Sequence, residues 1–155
     1  MSITLLIQDA KWRKSRGLVA RLKRAAAEAL LQGGGQVDAA LTILLTNDRQ
    51  LRALNLDFRG KNSATNVLSF PSPKDEKTYL GDIAIAYGVT AKEAENAGKS
   101  VIEHATHLAV HGVLHLLGFD HETVRQAKIM EPLESKILKK LKIADPYRQK
   151  DARRS

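Results

Sequence analysis

Three of the five histidines in this 155-residue chain fall within residues 108–121. His111 and His115 are four residues apart, so an α-helix places both imidazoles on one face. Gly118 predicts the end of that helix, because glycine readily adopts the left-handed conformation of a C-terminal cap. Beyond that cap the chain can turn and bring His121 back toward the pair. The spacing therefore predicts a site with three imidazole ligands.

Three imidazoles leave one position of a tetrahedral metal ion open to water, which is the ligand pattern of catalytic zinc. Structural zinc usually has four protein ligands, often cysteines, and this chain has no cysteine. A catalytic zinc ion lowers the pKa of its bound water to about 7 and so supplies hydroxide at neutral pH. We expect one Zn²⁺ ion, although three imidazoles also suit nickel, copper or iron.

The helix that carries these histidines is predicted to be the buried centre of the fold. Residues 101–117 are apolar almost all round, and no lysine or arginine occurs between Lys99 and Arg125. One stripe of histidines interrupts the apolar surface: His104, His107, His111 and His115. Buried histidines need polar partners, and a metal ion satisfies several at once. Periodicity alone does not choose the ligands, because two pairs in this stripe are four residues apart.

The segment 111–121 reads His-Gly-x-Leu-His-Leu-x-Gly-x-Asp-His. It resembles the signature of the YbeY family, bacterial metal-dependent endoribonucleases and ribosomal RNA maturation factors. Other blocks that resemble the family occur in the expected order, so the resemblance covers roughly residues 45–121: Leu54-Asn55-x3-Arg59-Gly60, then Thr65-Asn-Val-Leu-Ser-Phe-Pro71, then Leu80-Gly-Asp-Ile83. The resemblance implies that the zinc ligands are His111, His115 and His121. It leaves His104 and His107 as supporting or packed residues.

Arg59 matches the family's arginine, so the resemblance implies a catalytic cation at this position. Phosphodiester hydrolysis adds negative charge to the phosphoryl oxygens, and a planar guanidinium can bind two of them. Lys61 adds to the positive field, which makes Arg59 and Lys61 the expected RNA-binding residues. At position 66 the family commonly has aspartate, whereas this chain has Asn66. We therefore assign no general base there.

Three residues within the histidine motif, or next to it, have more than one interpretation. Asp120 and Glu122 flank His121. Either carboxylate could orient a histidine or act on metal-bound water, or it could have only a helix-capping or surface role. Gly112 suits a close approach of backbone or substrate, or plain helix packing.

The charge of the chain favours a polyanionic partner. There are 25 Lys and Arg against 17 Asp and Glu, a formal net charge of +8. Two runs are rich in basic residues, 11–24 and 136–154. Each alone suits a solvated surface, but beside a hydrolytic site they favour RNA. Aromatic residues are few, so base stacking is expected to be limited, and Trp12 is predicted to pack in the core.

Together with the resemblance, these features predict a single-strand-specific, zinc-dependent endoribonuclease. The resemblance implies that it acts in ribosomal RNA processing, at the 3′ end of 16S rRNA, and in ribosome quality control, with a ribosomal subunit as partner and no DNA. The alternatives are a ribosome-associated assembly factor with a structural metal, and another metal-dependent hydrolase with a small anionic substrate. A metalloprotease is disfavoured, because Gly112 replaces the glutamate of His-Glu-x-x-His.

The elements that position these residues predict an α+β fold. Strands are predicted at residues 3–7, 36–45, 65–70 and 80–86. Helices are predicted at 16–31, from about 48, at 89–97, at 100–117 and at 123–141, with Pro132 kinking or dividing the last. This order gives a small mixed four-stranded sheet packed with about five helices around the central histidine helix.

The length predicts a single domain over residues 1–155, with a basic and flexible tail from about residue 144. No apolar stretch approaches the length of a membrane span, and the N-terminus lacks a basic segment followed by a long apolar run. We therefore expect a cytoplasmic protein without a membrane partner.

Overall fold

A computed structural model describes residues 1–73 and 78–143. The strands are β1 (Ser2–Ile7), β2 (Ala40–Thr46), β3 (Val67–Pro71) and β4 (Tyr79–Ala86). The α-helices are α1 (Leu18–Gln32), α2 (Asp48–Arg59), α3 (Tyr87–Ala97), α4 (Val101–Leu116) and α5 (Val124–Lys140). This confirms the α+β fold with its four strands and five helices in the predicted order. The tail predicted from residue 144 lies outside the described residues.

The four strands form one mixed sheet in the order β1-β2-β4-β3. The first three strands in that order run parallel, and β3 pairs antiparallel with β4 at one edge. One row of the register joins Leu5, Ile43, Ile83 and Ser69 across the whole sheet. Residues in one row share a face. A polar serine on the edge strand therefore ends a row that is otherwise apolar.

Helices cover both faces of the sheet. The larger core cluster joins Ile43 and Ile83 to buried residues of α1, α4 and α5. The smaller cluster lies on the other face, where Leu51 of α2 packs with Leu68 and Ala84. Because strand residues alternate between faces, β4 contributes to both clusters. Helix α4 lies within the larger cluster and has nine buried residues, which confirms the predicted central helix.

The ends of α4 are set by local hydrogen bonds. At its start, Ser100 and Glu103 form a reciprocal capping box, each side chain accepting a backbone N–H. At its end, Gly118 has φ of +99°, and its N–H donates to the carbonyl of His115 over 3.0 Å. The N–H of Phe119 donates to the carbonyl of Leu114, also over 3.0 Å. The helix ends and the chain reverses at Gly118, as predicted from the sequence, and the loop that carries His121 follows.

Three local features differ from the sequence predictions or go beyond them. Strand β2 begins at Ala40 rather than at residue 36, because the Ala39 N–H donates to the Gln36 carbonyl in a turn (3.1 Å). Helix α5 continues through Pro132. A short 3₁₀ helix, Ala10–Lys14, precedes α1. It places Trp12 in the core, fully buried, as predicted.

No helix in the described parts of the chain is both long enough and apolar enough to be a membrane span.

Candidate metal centre

The structure brings the three predicted ligands together at the C-terminal end of α4. The Nε2 atoms of His111 and His115 face each other at 2.9 Å. The ring of His121, from the loop that follows, has its centroid 5.1 Å from that of His111 and 5.2 Å from that of His115. One nitrogen from each ring can be chosen so that all three lie within 4.8 Å of one another. These residues are called the histidine triad below.

The histidine triad fits a metal ion in donor chemistry and in spacing. Tetrahedral zinc with Zn–N bonds of 2.0–2.1 Å places two ligand nitrogens about 3.3 Å apart. The Nε2 atoms of His111 and His115, now 2.9 Å apart, would have to move only slightly further apart to bind it. The pKa of His115 is lowered to about 4, mainly by burial and to a lesser extent by charge repulsion from His111 and His121. The His115 ring is therefore neutral at pH 7 and offers a lone pair, as a metal ligand must.

Glu134 of α5 belongs to the same site. Its side chain is fully buried, one carboxylate oxygen contacts Nδ1 of His111, and the other lies 3.2 Å from Nε2 of His107. Burial alone raises the pKa of a carboxyl group, but the hydrogen bonds from His107 and His111 outweigh it and lower the pKa of Glu134 to about 2. Glu134 is therefore an ionised carboxylate. It contacts Nδ1 of His111, whereas His115 faces Nε2 of the same ring.

Glu134 was not among the residues predicted from the sequence, for which the candidate carboxylates were Asp120 and Glu122. Asp120 instead accepts the backbone N–H of His121 over 2.7 Å, and its oxygen is 3.8 Å from that residue's Nδ1. Glu122 is exposed. A signal for Glu134 was present in the sequence, since it is the acidic member of an otherwise apolar stripe on α5: Met130, Glu134, Ile137 and Leu138.

The remaining two histidines of the stripe bind carboxylates. Nε2 of His104 lies 2.9 Å from Oε1 of Glu93, and His107 binds Glu134 as described. Burial lowers the pKa of His104, and the hydrogen bond with Glu93 opposes that effect. Asn66 also donates to Oε1 of Glu93, over 3.0 Å, and accepts the N–H of Val67 over 2.7 Å. Its amide thus has two local partners, consistent with assigning it no general-base role.

A cavity of about 580 Å³ opens over the histidine triad. Arg59, the exposed last residue of α2, lies at its wall, where Gly60 ends the helix with φ of +69°. The predicted cation and the predicted metal ligands therefore border one cavity. Lys61 is exposed and is not among the lining residues. The other lining residues are Asn66, Val67, Ser69, Pro71, Gly118, Phe119, Asp120 and Glu122.

Gly112 holds α4 close to the sheet. A Cβ atom there would lie 2.9 Å from Cγ2 of Ile83 and 3.2 Å from Oγ of Ser69. The Ser69 hydroxyl donates to the Gly112 carbonyl over 3.1 Å. Of the two interpretations of this glycine, the structure supports packing of the helix against the strands. His111 is thereby placed next to the strand that forms one wall of the cavity.

The fold and the site define a small α+β protein with a histidine cluster in an open cavity. A family model described as "Endoribonuclease YbeY" matches residues 7–142. A curated relative of that name from Chelativorans sp. (strain BNC1) is 49% identical, over 85% of this chain and 82% of its own. Another, from Rhodopseudomonas palustris (strain BisA53), is 42% identical over 95% of this chain and 90% of its own. The chain therefore belongs to the YbeY family.

A solved structure supports the fold independently. The solution structure of TM1509 from Thermotoga maritima matches with a TM-score of 0.58. It covers 93% of this chain and 97% of its own, at 21% identity. At that identity the likeness concerns the fold alone.

Proposed function

We infer that this protein is a metal-dependent endoribonuclease that hydrolyses phosphodiester bonds in single-stranded ribosomal RNA. Family membership supports the endoribonuclease activity. One observation carries the metal dependence: three imidazoles converge in a cavity that Arg59 also borders. Such a cavity has the volume of a ligand pocket, so it suits a short length of one strand rather than the full width of a duplex.

Four residues would have distinct roles in the reaction. His111, His115 and His121 would hold a metal ion, which we take to be zinc because three protein ligands and one open position are the pattern of catalytic zinc. When bound, that ion would supply Lewis-acid chemistry, by activating water or polarising a phosphoryl oxygen. Arg59 would bind the phosphoryl oxygens through its paired N–H groups and neutralise the charge that develops on them.

Exposed basic side chains support an RNA substrate. Seven lie in the 3₁₀ helix, in α1 and between them, and all are exposed: Lys11, Arg13, Lys14, Arg16, Arg21, Lys23 and Arg24. Four more are exposed at the end of α5 or just beyond it: Lys136, Lys139, Lys140 and Lys142. The two groups belong to neighbouring helices, since Lys140 pairs with Glu28 of α1 over 3.2 Å. This surface would attract an RNA backbone, with an affinity that falls as salt rises.

We further propose that a ribosomal subunit presents the strand, at the 3′ end of 16S rRNA, in the cytoplasm. The pocket offers few aromatic side chains for base recognition, so the choice of cleavage position would come from this presentation.

The test compares Arg59→Ala with Arg49→Ala on a labelled single-stranded ribosomal RNA fragment. Both arginines are exposed residues of α2, but only Arg59 borders the cavity. We expect Arg59→Ala to keep its metal and its thermal midpoint while kcat falls roughly 100-fold or more. Arg49→Ala should cut like the wild type. Equal activity of the two variants would refute the role of Arg59, and wild-type protein that binds RNA without cutting it would favour an assembly factor.

A further inference from the structure

Glu134 lies deeper in the protein than its charge alone would allow. Its side chain is fully buried, and each carboxylate oxygen contacts a histidine of α4. An ionised carboxylate in such a place is retained only where hydrogen bonds replace its hydration. The two histidines differ in position, since His111 belongs to the triad and His107 lies one helical turn before it.

We propose that Glu134 is the positioning residue of the metal centre: it holds the proton of His111 on Nδ1, so that the Nε2 lone pair faces the metal position. This inference rests on the proposed metal site. A neutral imidazole carries one N–H, and an ionised carboxylate can only accept a hydrogen bond. The contact between Glu134 and Nδ1 therefore makes Nδ1 the donor and leaves Nε2, which faces His115 at 2.9 Å, as the acceptor.

The other two histidines of the stripe adopt the opposite tautomer. Nδ1 of His107 and Nδ1 of His104 are buried and have no hydrogen-bond partner within the described residues. A buried lone pair without a partner costs less than a buried N–H without one, so the proton of each ring lies on Nε2. From Nε2, His107 donates to Glu134 and His104 donates to Glu93. His107 thus anchors the carboxylate that in turn orients His111.

A carboxylate behind a ligating imidazole fixes the ring orientation and increases its basicity as a ligand, and its loss typically weakens metal binding 10- to 100-fold. Glu134 also joins α5 to α4, so a purely structural role is the competing explanation. The two explanations differ in what they predict for the metal-free protein. A structural role changes the thermal midpoint alone, whereas positioning changes the tautomer of His111.

The test uses Glu134→Gln, with Glu93→Gln as the matched control. Glu93 also binds a histidine of α4, but that histidine is His104, which lies away from the triad. In metal-free wild type, ¹⁵N chemical shifts should show the proton of His111 on Nδ1 and that of His107 on Nε2. Competition with a chelating dye should show that Glu134→Gln weakens Zn²⁺ binding roughly 10- to 100-fold. Glu93→Gln should match the wild type within about twofold, a difference well below that range.

A wild-type His111 protonated on Nε2 would overturn the inference without any variant, even if Glu134→Gln does not fold. A folded Glu134→Gln that keeps both wild-type Zn²⁺ affinity and the Nδ1 proton would also overturn it, whatever its thermal midpoint. None of these measurements uses RNA. Wild type with the expected tautomers and Zn²⁺ affinity but no cleavage would contradict the proposed nuclease and leave the role of Glu134 standing.

Discussion

Substitution of Gly112 by alanine separates helix packing from every other role of this glycine. The added Cβ would lie 2.9 Å from Cγ2 and 3.1 Å from Cδ1 of Ile83. Carbon atoms in contact are ordinarily about 3.5–4.0 Å apart, so the side chain or the helix must move by roughly half an ångström or more. Ile83 is fully buried in the central strand β4, and its branched side chain has little freedom to turn away.

The size of the effect follows from two opposing contributions. Overpacking of a well-packed core costs about 1–3 kcal/mol. Replacing glycine by alanine within a helix contributes about 1 kcal/mol in the other direction. The balance is a loss of roughly 1 kcal/mol in the free energy of unfolding. For a chain of this length, that corresponds to a fall of about 2–4 °C in the thermal midpoint.

Urea unfolding of the metal-free protein measures this balance. Ala53→Gly, at an exposed position in the middle of α2, measures the helix contribution in the same protein. Ile83→Ala removes both clashing atoms, so the double variant Gly112→Ala/Ile83→Ala should lose less stability than the two single changes summed. A helical position with open space would instead be stabilised by about 1 kcal/mol, so that result for Gly112→Ala alone would contradict the clash with Ile83.

Three further predictions concern other contacts. Asn66→Asp removes a donor to Glu93 and sets two carboxylates side by side, so its thermal midpoint should lie below wild type at pH 8 and approach it as the pH falls. Trp12→Phe leaves the buried Thr46 carbonyl without the indole N–H that donates to it over 2.8 Å, and urea unfolding should show a loss of about 1–3 kcal/mol. The pKa of Glu134 is about 2 in the fold, against an ordinary 4.5, so its stabilisation is complete above pH 4.5 and is lost as the pH falls toward 2. That contribution is on the order of 3 kcal/mol, and the stability difference between wild type and Glu134→Gln should shrink with acid over this range.

Much of the fold could be predicted because its signals are local. Hydrophobic periodicity and capping residues depend on neighbours within a few positions, and they placed α4 and its end at Gly118 correctly. The start of β2 was placed four residues early, because Val37 is apolar yet lies in a turn that a backbone hydrogen bond of Gln36 closes. Apolar composition alone does not distinguish a strand from such a turn.

The site was predictable where its residues share one helix and a short loop. His111, His115 and His121 lie within eleven positions, so spacing alone indicated that they could converge. The apolar stripe on α5 indicated that Glu134 is buried, but its contact with His111 depends on the crossing of two helices, which no local pattern encodes. The same holds for Ser69, whose bond to the Gly112 carbonyl joins a strand to a helix 43 residues away. Contacts between distant segments require the packed fold.

The most direct test of the proposed metal-dependent nuclease measures cleavage of labelled single-stranded ribosomal RNA by metal-stripped protein as Zn²⁺ is added back. His121→Ala is the informative variant, because that side chain is 50% exposed and its removal leaves the core intact. We predict that wild-type activity rises until about one Zn²⁺ is bound per chain and then stops rising. His121→Ala should stay folded, bind Zn²⁺ more weakly and cut little RNA. Undiminished cleavage by the metal-stripped wild type, or by His121→Ala, would contradict metal-dependent cleavage at the histidine triad.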